Sequence, residues 1–168
     1  EDVDVKATAA AVADGAFYNT GQSCCSVERI YVHKSIHAAF VAAFVAEVRG
    51  YRIGDPMDEA TYIGAITRRA QIDVLKTQVA DARRHGAKLL CGGHAIKGRG
   101  NWFEPTVLVD VDHRMAVMRD ESFGPIIGIA RVDDDDQAIG LMNDTEYGLT
   151  AGAYTRDRRR AQRVLGAV

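Results

Sequence analysis

The chain has 168 residues, 47% of them apolar and 26% charged, enough to bury about 70% of its unfolded surface around one core. Lys plus Arg total 21 against 23 for Asp plus Glu, a formal net charge of −2, which argues against a nucleic-acid partner. No apolar run approaches the roughly 18 residues that span a bilayer, and no charged start leads into an apolar signal segment, so a membrane is not expected as a partner either.

Val5, Ala9, Val12 and Ala16 fall at helical spacing behind Asp4 as a cap, and this helix ends in the polar turn Asn19-Thr20-Gly21-Gln22 that leads to Cys24. Arg29 to His33 has the β-branched and aromatic content of a short buried strand. Ser35 then caps a helix whose apolar face is Ile36, Phe40, Val41, Phe44, Val45 and Val48. Gly50 to Glu59 reads as a loop, and Thr67 opens a helix with Ile72, Leu75, Val79 and Ala82 on one side, ended by Gly86. Lys88 to Cys91 is a short strand, and Gly92 to Gly100 is a glycine-rich mobile loop. Phe103 to Val111 and Ile126 to Val132 are strands on either side of an Arg119 to Pro125 turn.

In the run Asp133 to Asp136, Asp134 and Gln137 have the spacing of a capping box, a better reading than a cation site because acids favour a helix N-terminus. Ala138, Ile139, Leu141 and Met142 continue that helix. Leu149 to Thr155 then reads as a strand, and Arg156 to Val168 begins a last helix. This alternation predicts an α/β domain with a mostly parallel sheet and helices on both faces. The chain starts at Glu1 and its last helix meets Val168 without a stop signal, which reads as a piece of a longer protein.

Cys24, Cys25 and Cys91 make an odd count, and adjacent cysteines do not form an ordinary unstrained bridge, so a reducing, cytoplasmic setting is expected. Apart from His33 and His37, four apart without a third obvious ligand, the five histidines show no HxxxH or HExxH spacing, and there is no CxxC pair, so no metal site is expected. Cys24 lies in a turn too polar for a core, where an accessible thiolate would be a nucleophile; the bland alternative is a small buried thiol. Glu121 lies in Glu121-Ser122-Phe123-Gly124-Pro125, where a carboxylate can accept hydrogen bonds from sugar hydroxyls beside the flat face of Phe123. Taken alone, that segment is a turn with a surface acid.

Together these segments resemble the aldehyde dehydrogenase superfamily. The stretch Phe17 to Cys24, containing Gly21-Gln22-Ser23-Cys24, is similar to the family's cysteine signature, and Glu121-Ser122-Phe123-Gly124-Pro125 to its Glu-x-Phe-Gly-Pro cofactor motif. Gly92-Gly93, Pro105-Thr106-Val107 and Asn143 to Leu149 match further family segments in register, so the resemblance covers nearly the whole chain.

The resemblance implies that Cys24 is the nucleophile and that its backbone N–H helps hold the oxyanion. It further implies that Glu121 binds the nicotinamide ribose, that Phe123 packs near the nicotinamide of NAD or NADP, and that Tyr18, Ser23 and Cys25 line the aldehyde pocket. The whole would be a cysteine-bearing catalytic domain, residues 1–168, working in a homo-oligomer on a small-molecule aldehyde. The family's dinucleotide-binding half, its Glu-Leu-Gly-Gly general base and its oxyanion Asn are expected upstream of these residues, so the 168 residues alone are expected to be inactive. Ser26 and Ala65 depart from the family pattern. Competing readings are a non-enzymatic assembly module with the same fold, and a thiol hydrolase needing a His brought near Cys24 by folding.

Overall fold

The computed structural model describes residues 1–168. Helix α1 (Val5–Phe17) begins where the Asp4 carboxylate accepts the Ala7 N–H at 3.0 Å. Strand β1 (Arg29–His33) and helix α2 (His37–Arg49) follow. Ser35 does not cap α2: its hydroxyl is bonded to His33 Nδ1, and Ile36 occupies the cap position without a side-chain bond. Helix α3 (Arg69–Arg84) starts two residues after Thr67, whose backbone N–H is already taken by the Gln22 side chain.

Strands β2 (Lys88–Cys91), β5 (Thr106–Val109) and β6 (Ile126–Val132) join β1 in one sheet of order β1-β6-β5-β2. The pairs β1–β6 and β6–β5 are parallel, and β2 runs antiparallel to β5. The expected glycine-rich loop instead contains a small ribbon, β3 (Ala95–Ile96) paired with β4 (Trp102–Phe103). The single strand expected from Phe103 to Val111 is therefore broken at Glu104-Pro105, where proline has no N–H to give a ladder.

Alternation along β5 and β6 divides the core in two. Val107, Val109, Ile127 and Ile129 face α1 and α2, joining Phe17, Phe40 and Phe44, whereas Leu108, Ile126 and Ala130 face α3, joining Ile72, Leu75 and Phe103. Helices thus cover both faces, as parallel strands require, and each fully buried Phe, Ile or Leu contributes about 1.5–3 kcal/mol.

Helix α4 (Asp135–Asn143) has the expected Asp134 cap, whose carboxylate accepts the Gln137 N–H at 2.8 Å, but the Gln137 side-chain oxygen accepts the N–H of Asp133, one residue before the cap, rather than that of Asp134. The strand expected over Leu149 to Thr155 is absent, because no strand of the sheet lies alongside to complete a ladder, and Leu149 and Tyr154 are exposed. Helix α5 (Arg158–Leu165) closes the chain, capped by the Asp157 carboxylate on the Arg159 and Arg160 N–H groups. No helix is long and apolar enough to cross a membrane.

Candidate active site

The segment between α1 and β1 is built on an unusual backbone. Asn19, Thr20 and Gly21 have φ of 50°, 60° and 70°, three consecutive left-handed residues. Only Gly21 adopts that conformation freely; Asn tolerates it, and a left-handed conformation costs a residue such as Thr20 about 1–2 kcal/mol. The surrounding contacts over-determine the turn. The buried Thr20 hydroxyl accepts the Gly64 N–H at 2.9 Å. Gln22 bridges to the same neighbouring segment, donating to the Ala65 carbonyl at 3.2 Å and accepting from Thr67 N–H at 2.9 Å. Asn19 closes the turn on the Gln22 carbonyl at 3.0 Å.

This turn delivers Cys24 and Cys25 to the surface, both exposed, with sulfurs 4.0 Å apart. Cys24 is therefore not the buried thiol of the bland reading. The neighbouring Cys24 sulfur pushes the Cys25 thiol up, through a hydrogen bond first and charge second. Burial pushes the Cys91 thiol up. The Tyr18 hydroxyl is bonded to the Ser23 hydroxyl, and Ser23 also accepts the Cys25 N–H at 3.2 Å, so Tyr18, Ser23 and Cys25 form one cluster beside Cys24. The Cys24 N–H has no backbone acceptor within the chain, which leaves it available to an oxyanion.

The Glu121 loop lies directly against this turn. A Cβ at Gly21 would overlap the Gly124 carbonyl, so the two backbones meet where only glycine fits. Within the loop, Glu121 is exposed, Ser122 and Gly124 are buried, and Phe123 is half-buried with φ of 43°. The loop backbone is fastened by side chains from elsewhere. Glu28 accepts the Ser122 and Phe123 N–H groups at 3.1 and 3.3 Å, Gln71 donates to the Ser122 carbonyl, and Gln78 donates to the Glu121 carbonyl at 3.3 Å. Burial pushes the Glu28 carboxyl above the usual carboxylate range, while those two N–H donors and the nearby Arg29 pull it back.

These three braces were not singled out in the sequence. Gln71 and Gln78 lie seven residues apart on the face of α3 that carries Leu75, a signal of polar groups aimed into a core. Glu28, an acid directly before a buried strand, was a second such signal.

The aldehyde dehydrogenase family model matches residues 1–168, the whole chain. The chain is 39% identical to betaine aldehyde dehydrogenase of Brucella anthropi, covering all of this chain and 35% of that protein. Among solved structures it is similar to an NADP-dependent enzyme of Escherichia coli, with 34% identity and a TM-score of 0.96 over 100% of this chain and 35% of the other. It is also similar to an NAD-dependent aldehyde dehydrogenase of Sinorhizobium meliloti, with 32% identity and a TM-score of 0.95 over 99% and 33% of the two chains. The chain spans about a third of the length of the curated relatives it matches. Matching in sequence along its whole length and in fold at this level of identity, the chain belongs to the aldehyde dehydrogenase family.

Proposed function

We propose that these residues form the cysteine-bearing part of an NAD- or NADP-dependent dehydrogenase that oxidises a small aldehyde to a carboxylate through Cys24. The observation that carries this reading is the junction of Gly21 and Gly124, which sets an exposed thiol and an exposed carboxylate on two abutting, side-chain-braced segments. The Cys24 thiolate adds to the aldehyde carbon, a C–S bond forms, and the carbonyl electron pair moves onto oxygen, where the Cys24 N–H donates to it. Tyr18, Ser23 and Cys25 flank the bound aldehyde.

The loop fits the nicotinamide end of a cofactor. Four of its backbone polar groups are occupied by Glu28, Gln71 and Gln78, while the exposed Glu121 carboxylate can accept ribose hydroxyls and the half-buried Phe123 ring offers an apolar face. When bound, the nicotinamide supplies a hydride acceptor for the carbon held on Cys24. The remaining Cys24 thioester is cleaved by water, which releases the carboxylate and returns the thiolate. The base for that water and the pyrophosphate cradle are assigned to residues beyond these 168, so the chain alone is expected to reduce neither NAD nor NADP. A cytoplasmic setting and a homo-oligomeric complete enzyme belong to the same proposal.

Iodoacetamide labelling across a pH series, mapped by mass spectrometry to Cys24, Cys25 and Cys91, tests the nucleophile. Cys24 should label first and at the lowest pH, and propionaldehyde should slow its labelling alone. Equal rates at Cys24 and Cys25, indifferent to aldehyde, would overturn the assignment.

A further inference from the structure

Glu28 is the one side chain that physically connects the cysteine turn to the Glu121 loop through hydrogen bonds at its tip. It stands four residues after Cys24 and immediately before β1, so its backbone is anchored to the central sheet through the Arg29–Gly128 pairing. Each carboxylate oxygen takes one of two successive backbone N–H groups, Oε2 that of Ser122 at 3.1 Å and Oε1 that of Phe123 at 3.3 Å. Successive N–H groups next to a left-handed residue form a concave anion cradle, and here the anion is supplied by the protein itself. The amides it holds belong to the residue between Glu121 and Phe123 and to Phe123, whose left-handed φ of 43° sets the direction of its ring.

We infer that Glu28 is a positioning residue for cofactor binding, holding Phe123 in its left-handed conformation and so aiming the Glu121 carboxylate and the Phe123 ring. This rests on the reading of the Glu121 loop as the nicotinamide site. Gln71 and Gln78 restrain the loop carbonyls but contact neither of the amides that Glu28 takes, so they cannot substitute for it. Without the carboxylate, two largely enclosed N–H groups lose their acceptors and Phe123 loses the contact that opposes its return to negative φ. The expected signature is a defect in cofactor affinity with aldehyde affinity preserved, because Cys24, Tyr18 and Ser23 are held by other bonds.

The test uses the full-length enzyme and four forms: wild type, Glu28→Ala, Glu28→Gln and Glu121→Gln. Steady-state kinetics are measured with NAD and NADP, and melting temperatures alongside. Glu28→Ala should raise the cofactor KM about tenfold or more while the aldehyde KM stays within about twofold, the loss of two charge-assisted bonds. Glu28→Gln retains one carbonyl oxygen and turns an NH2 group toward the other amide, so its cofactor KM should rise by an intermediate factor, about threefold. A role confined to stability would lower the melting temperature and the active fraction while leaving the cofactor KM of the folded enzyme fixed, and that result overturns the proposal. Should Glu28→Ala fail to fold, an unmoved cofactor KM in Glu28→Gln overturns it as well. Glu121→Gln separates the two failures: if its cofactor KM is unchanged, the reading of the loop is wrong; if it rises while both Glu28 variants are unmoved, only the positioning role falls.

Discussion

The two ends of this domain are held by different physics. Around residues 18–28 and 121–124 the backbone takes left-handed conformations at Asn19, Thr20 and Phe123; Asn19 is held by an exposed side-chain bond, and Thr20 and Phe123 by neutral or charge-assisted bonds of buried or half-buried groups. Residues 144–168 contain no strand, α4 beside them buries no residue fully, and α5 buries only Val164. That region is fastened by ions. Arg160 holds the Asp135 carboxylate bidentately, with Nε 2.8 Å from Oδ2, and also reaches Glu1 at 3.0 Å, while Arg163 meets Asp135 and Asp136 at 2.6 and 2.8 Å. Strain is kept only where surrounding contacts over-determine it, whereas surface ion pairs tolerate loosening at little cost. The contrast predicts that substitutions at the cysteine turn act through geometry and those at the C-terminal segment through charge.

The largest effect is expected at Gly21. In Gly21→Ala the new Cβ meets the Gly124 carbonyl and the residue must hold φ of 70°, so unfolding free energy should fall by more than about 2 kcal/mol in urea titration. A variant as stable as wild type would mean that the turn and the loop do not abut. Next is Thr20→Val, which keeps the shape but removes the acceptor of the Gly64 N–H; about 1–3 kcal/mol should be lost, by the same titration.

These two positions also mark how far the sequence could be read. Periodicity placed α1 and α2 closely, because each has a long apolar face against one half-core, short runs of apolar and β-branched residues placed β1, β2 and β6, and local cap chemistry placed Asp4 and Asp134. Leu149 to Thr155 was misread for a tertiary reason: strand-like content makes a strand only beside a partner. The motif residues Cys24, Glu121 and Phe123 were legible by resemblance, but their supports were not. Glu28, Gln71 and Gln78 are 94, 51 and 43 residues from the backbone groups they hold, separations at which no local pattern reports a contact.

Acid should release the ionic end first. The Arg160 guanidinium beside Asp135 holds its carboxyl below the usual carboxylate range, and the Thr155 hydroxyl helps hold Asp2 down to about 2. Both folded values are depressed, so their stabilisation is complete well above the ordinary Asp value of about 3.9 and is lost as pH falls below it, for Asp2 through about 2. Hydrogen exchange followed from pH 5 downward should therefore show amides of residues 150–168 losing protection before those of 18–28, after correction for the intrinsic rate at each pH. Asp135→Asn should produce a similar loosening at neutral pH, lowering stability by about 1 kcal/mol with residues 18–28 unchanged. Simultaneous loss of protection in both regions would mean that the C-terminal segment is packed on the core rather than pinned by charge.

The smallest effect belongs to the exposed apolar side chains of that segment. Leu149 is 66% exposed and Tyr154 53%, so neither transfers much area out of water when the chain folds. Leu149→Ser and Tyr154→Ser should each change the unfolding free energy by no more than about 0.5 kcal/mol. The double variant distinguishes two causes of any larger loss. If the loss grows with protein concentration, the two side chains are buried between copies of the chain, since only association makes stability depend on concentration. If it is the same at every concentration, Leu149 and Tyr154 pack within one molecule, and the segment shares the geometric rather than the ionic mode of support.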